Sequence, residues 1–167
     1  MKEIHIPAII LVILLLGFAA YLAYSASLLP DRVATHFGAG GQPNGWMSRS
    51  GYLLFIGVLG VCLPLIFVIL VLFIRRIPDQ FVNIPNKKYW LSPEHKEEYV
   101  SYVSGFMFWL ACLWVLFFAG LHFLTIEANR AQPVQLDMGK FMIVLIGFMA
   151  AFMLWPIGMI IHFAKAG

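Results

Sequence analysis

Charge is what this chain has least of. Lys, Arg, Asp and Glu make up 11% of its 167 residues, against about 25% in an ordinary soluble domain. With 62% hydrophobic residues and a mean hydropathy of +0.88, a soluble globular class is excluded. The formal net charge is only +3, and nothing in it calls for a nucleic-acid partner. Cysteine is almost as scarce. Cys62 and Cys112 both fall in apolar runs, where thiols behave as small hydrophobes, so no disulfide is expected. Ionisable groups are missing from the centre of every apolar run, and intramembrane charges are the usual mark of pumps, ion-coupled transporters and intramembrane enzymes. There is also no His-Glu-x-x-His pair, Gly-x-Ser-x-Gly elbow or P-loop. The expectation is a protein that is neither an enzyme nor dependent on a cofactor.

What is present is four long apolar runs. Each is long enough for a hydrocarbon core of about 30 Å. They are placed at residues 6–28, 51–74, 104–126 and 141–163, leaving a loop at 29–50 and a second at 75–103. The reading is a single all-α membrane domain, a four-helix transmembrane bundle. The first run is expected to be a retained anchor rather than a signal peptide. Lys2 is offset by Glu3, the run exceeds the 7–15 residues of a signal h-region, and Ala23-Tyr24-Ser25 is a poor cleavage site. Lys2, Arg75, Arg76, Lys87, Lys88, Lys96 and Lys165 fall on one face, against Arg32, Arg49, Arg130 and Lys140 on the other. The positive-inside bias then puts both termini and the 75–103 loop in the cytoplasm and the 29–50 loop outside.

Several features predict local structure. Pro7 reads as a first-turn proline, whereas Pro64 and Pro156 lie inside their runs and predict kinks or hinges. Ala19/Ala23, Gly57/Gly60 and Gly147/Ala151 are small-residue pairs suited to close helix packing, here within the bundle. In the second loop, Ile77-Pro78-Asp79 and Ile84-Pro85-Asn86 read as extended, and Tyr89-Trp90 suits an interface. Ser92-Pro93-Glu94 reads as an N-cap and first turn. It predicts a helix from Pro93 into the third run, about 50 Å long.

The first loop is the most informative segment. Asp31-Arg32 suits an ion pair or a helix-end cap, Val33 to Phe37 is β-compatible, and Asn44-Gly45 predicts a tight turn with positive φ. Trp46 is placed at the headgroup level. Such a loop is either a compact hairpin capping the bundle or a recognition surface. The candidate binding residues are Asp31, Arg32, His36, Phe37, Asn44, Gly45 and Trp46. His36 and His122 share the outer face with Asp31, Glu127 and Asp137, making them remote candidates for a metal site, though no short ligand spacing is present. His5, His95 and His162 fall towards the other face.

Leu29-Pro30-Asp31-Arg32-Val33, Thr35-His36-Phe37, Gly41-Gln42-Pro43-Asn44-Gly45-Trp46 and Ser48 together resemble the signature of the DUF1648 family. Ala34 stands where that pattern usually has proline, which implies a less rigid strand. Asn83 to His95 resembles a second block of small four-helix members, with His95-Lys96 in place of an arginine pair, which implies weaker contact with any anion. The family has no established function. It includes distant relatives of the bacterial sporulation-delay immunity protein, and the resemblance implies a bacterial inner-membrane protein. The function expected first is binding or sensing of a peptide or another membrane protein through the outer loop. The alternatives are an accessory subunit of a membrane complex and a metal-dependent protein at the outer face. Apart from the bilayer, partners and oligomeric state stay open.

Overall fold

A computed structural model describes residues 2–165, with side chains from residue 4 onward; the Lys2 side chain used in the charge count lies outside the described residues. Helix α1 (Lys2–Ser25) leads through a short 3-10 turn to strands β1 (Arg32–Phe37) and β2 (Pro43–Ser48). Helix α2 (Arg49–Phe73) follows, then the four-residue α3 (Lys87–Trp90), α4 (Lys96–Arg130) and α5 (Met138–Ala164). Four segments are long and apolar enough to cross a membrane, Ile4–Leu28, Arg49–Arg76, Lys96–Arg130 and Met138–Ala164. Each reaches beyond the run read from hydropathy because polar ends add helical turns without adding apolar length. Ser48 caps α2 by accepting from the Gly51 N–H at 3.2 Å, and Asp137 caps α5 by accepting from the Lys140 N–H at 3.0 Å.

Helix α4 is the hub, and α1, α2 and α5 pack on it. Leu11 and Phe18 of α1, Tyr52 and Ile56 of α2, and Val115 and Phe118 of α4 form one core with Val33 of the hairpin. Gly60 is needed there. A Cβ at that position would stand 2.2 Å from the Phe18 ring, and one at Gly57 would meet Leu22 at 3.4 Å. The other small-residue pairs have no such use: Ala19 and Ala23 are exposed, and Gly147 has open space around its Cα. Helix α2 runs through Pro64 and α5 through Pro156. Pro7 is not in the first turn, since α1 already starts at Lys2; its carbonyl accepts from the buried Cys112 thiol at 3.7 Å. Cys62 is exposed, and both cysteines are free.

At the end opposite the hairpin, the 77–95 segment folds against α4 and α5. Trp90 is buried within the chain, and its indole N–H donates to the Phe163 carbonyl at 2.9 Å. The Asn86 side-chain amide, from a residue at φ 50°, donates to the Phe163 and Ala164 carbonyls at 3.3 and 3.2 Å. These bonds satisfy carbonyls that the end of α5 leaves open. Ile77 and Pro78 are extended, and a 3-10 turn takes over at Asp79–Phe81. Helix α4 begins at Lys96, not Pro93. Ser92 does not cap backbone N–H groups; its hydroxyl meets the His95 ring at 3.1 Å, and His95 has a φ of −111°, outside the helical range. Lys96 pairs with Asp79 at 3.1 Å, and Arg75 grips Glu97 with both guanidinium nitrogens. His95 and His162 both flank Trp90, while His5 is exposed.

Candidate recognition hairpin

Alternation sorts the hairpin side chains between its two faces. Val33, Thr35 and Phe37 point towards the helices, with Val33 in the core and the other two over a cavity. Arg32, His36, Asn44 and Trp46 are exposed. In register Arg32 faces Ser48, Ala34 faces Trp46 and His36 faces Gly45, with irregularities on either side of His36. The Arg32 guanidinium sits 5.4 Å from the Trp46 ring centroid, a cation–π contact. The His36 Nδ1–H donates to the Asn44 side-chain oxygen across the strands.

The turn is not where Asn44-Gly45 suggested. Both residues lie in β2, and the chain reverses over Gly38–Gln42, where Gly41 takes φ +77°. The physical reason lies across the ladder. The Asn44 amide is used against His36, and Gly45 is small because a Cβ there would stand 3.0 Å from the His36 Cβ. Nor do Asp31 and Arg32 pair with each other. Asp31 binds Arg49 at 2.7 Å while Arg32 lies over Trp46. Of the seven sequence candidates, Arg32, His36, Asn44 and Trp46 share the exposed face, with Asp31 beside them. Phe37 points inward and Gly45 packs on His36.

Three attachments hold the hairpin to the bundle. The Asn129 side chain of α4 accepts from the Ala34 N–H at 2.7 Å and donates to the Ala34 carbonyl at 2.9 Å. At the turn, the Leu136 N–H donates to the Gly41 carbonyl at 2.9 Å, and a Cβ on Gly41 would collide with the Leu136 carbonyl at 2.3 Å. At the base, the Arg49 N–H donates to the Asp31 carbonyl at 2.9 Å. Ala34, between these attachments, is fully buried.

Beneath the hairpin lies a polar node that sequence reading missed. His122 is fully buried, with Nε2 at 2.6 Å from the Ser25 hydroxyl and Nδ1 at 2.8 Å from the Tyr52 hydroxyl. Ser25 donates its own proton to the Leu22 carbonyl at 3.1 Å. It therefore accepts from the Nε2–H, and Nδ1 accepts from the Tyr52 O–H. One imidazole thus joins α1, α2 and α4. Both its nitrogens are occupied, and His36 is exposed on the far side of the hairpin. Among the described residues, no three His, Cys, Asp or Glu side chains are grouped to hold a metal. Ser25 was legible only as part of a poor cleavage site. Asn129 belongs to no motif in the sequence, and its four-residue spacing from Thr125 is the one signal that places the two on one polar face.

No solved structure matches this chain. An uncharacterized protein of Archaeoglobus fulgidus is 39% identical over 79 residues, which is 46% of this chain. The match covers 42% of that protein, so the chain spans less than half the length of this relative. Residues 8–61, holding most of α1, the hairpin and the first half of α2, match the family model described as a domain of unknown function, DUF1648.

Proposed function

We propose that this is a non-enzymatic membrane protein that recognises a protein or peptide partner through the exposed face of its hairpin. The observation that carries the reading is preorganisation. Arg32, Trp46, His36 and Asn44 stand together on a strand pair fixed at its base, middle and turn. A fixed surface loses little conformational entropy on binding. An exposed arginine stacked on tryptophan suits a segment bearing carboxylate and aromatic groups. Full burial of the Ser25–His122 pair supports the non-enzymatic reading, because no substrate reaches either group. The Lys and Arg distribution supports a cell-membrane location with the hairpin outside and both termini in the cytoplasm.

A photo-crosslinking residue at position 46, introduced into the full chain in native membranes, tests this. A discrete protein or peptide adduct is expected, and it should be lost when Arg32→Ala is added. Adducts to lipid alone would contradict the reading and leave Trp46 an interfacial anchor.

A second reading, an accessory subunit of a larger membrane complex, has its own support in α5. Only Phe163 is buried along that helix, and 6% of its most apolar window is covered by the rest of the chain. Co-migration with a large assembly at fixed stoichiometry would favour it.

A further inference from the structure

The hairpin end of the bundle carries a second feature, a cleft between the end of the first membrane span and the last turns of α4. It has a volume of about 440 Å³, with Tyr21 and Leu28 on one wall and Phe123, Ile126, Glu127 and Arg130 on the other. Leu28 and Arg130 are the last residues of their spans. Tyr21 and Phe123 each lie about two helical turns, or 10 Å, nearer the middle of the bilayer. The charged end of the cleft is therefore at headgroup height and its rings are at hydrocarbon depth. Phe123 is 49% exposed, so the apolar wall opens sideways to lipid.

The pairing of charges fixes what chemistry the cleft accepts. Of the cations at this end, Arg49 binds Asp31 at 2.7 Å and Arg32 lies over Trp46. The Lys140 ammonium holds both Glu127 oxygens, at 2.8 and 3.0 Å. Arg130 is left. Exposed at the mouth of the cleft, it has no hydrogen bond or ion pair with any described residue. Glu127 is neutralised by its lysine, so the cleft keeps one net positive charge. A phosphodiester carries one negative charge and can take two parallel N–H bonds from a guanidinium. A zwitterionic headgroup would bring an ammonium as well, and the carboxylate that would receive it is already occupied.

We propose that this cleft binds an anionic glycerophospholipid from the leaflet on the hairpin side. Arg130 holds its phosphodiester, and an acyl chain descends between Tyr21 and Phe123. This inference is independent of partner recognition by the outward face, and either stands if the other fails.

The test uses the full chain in phosphatidylcholine nanodiscs that carry a phosphatidylglycerol with a diazirine in its acyl chain. Saturable labelling of residues 21–28 and 123–130 is expected, with competition by unlabelled phosphatidylglycerol. Diacylglycerol lacks the phosphate and should compete about tenfold less well, the low end for a hydrogen bond to a charged group. Soluble glycerol phosphate lacks the chains and should not compete. In Arg130→Gln, phosphatidylglycerol should fall to the level of diacylglycerol. Undiminished labelling of that variant would leave Arg130 only the ordinary role of a cation at the C-terminal end of a helix and would overturn the proposal. Non-saturable labelling of the unmodified protein, or equal competition by diacylglycerol or glycerol phosphate, overturns it whatever the variant does.

Discussion

The side-chain amide of Asn129 presents to Ala34 the same donor and acceptor that a neighbouring strand would present. One residue of an α-helix thereby completes the outer edge of a two-stranded ribbon that would be marginal by itself. Ala34 is the right residue for this, since proline has no N–H to place on the Asn129 oxygen. Ala34 and the asparagine on α4 are thus two halves of one contact. Removing the amide leaves a fully buried N–H and carbonyl, each costing about 1–3 kcal/mol when unsatisfied. Asn129→Leu is therefore expected to lower the thermal midpoint and to open the hairpin to protease ahead of the helices. An unchanged midpoint and cleavage pattern would remove Asn129 from the account. His122 belongs to the same scale. A buried histidine with both nitrogens engaged holds three helices at one point, which is a structural use of a residue that hydropathy alone places merely near a helix end.

The elements divide between those that periodicity reveals and those that only tertiary contacts reveal. All four long helices were legible, because apolar length is itself the signal. The hairpin was legible as well, through β-compatible residues flanked by glycine and proline. Its turn was not. Asn44-Gly45 is the usual short-range turn signal, yet His36 across the strands claims both residues, and the positive φ falls to Gly41, where Leu136 also leaves no room for a side chain. The start of α4 was missed for a similar reason, with the Ser92 hydroxyl going to the His95 ring instead of a backbone N–H. At the far end, α3 is too short to be stable alone and exists because Trp90 is buried on the end of α5. Trp90→Ala should release that end: protease cleavage near 77–95 should rise markedly, with the hairpin end unaffected. Equal protection in variant and parent would show that the 77–95 segment holds itself in place.

Across the whole molecule, α4 connects the two ends. At one end it carries Asn129, Thr125 and His122 beneath the hairpin; at the other, Tyr99 and Val100 pack in the cluster around Trp90. The match to DUF1648 ends at residue 61. The hairpin lies inside it, while the α4 and α5 contacts that fix the hairpin lie outside it, so this half of the design had no signature to read. The proposed recognition by the exposed face depends on one property above all, that the hairpin is formed and held before any partner arrives. Hydrogen exchange on the full chain in nanodiscs measures this directly. The Ala34, Gly41 and Leu136 amides, bonded to Asn129, Gly38 and Gly41 respectively, are predicted to exchange as slowly as the interior amides of α4. Exchange of these three at the rate of an open loop, with α4 still protected, would contradict the account.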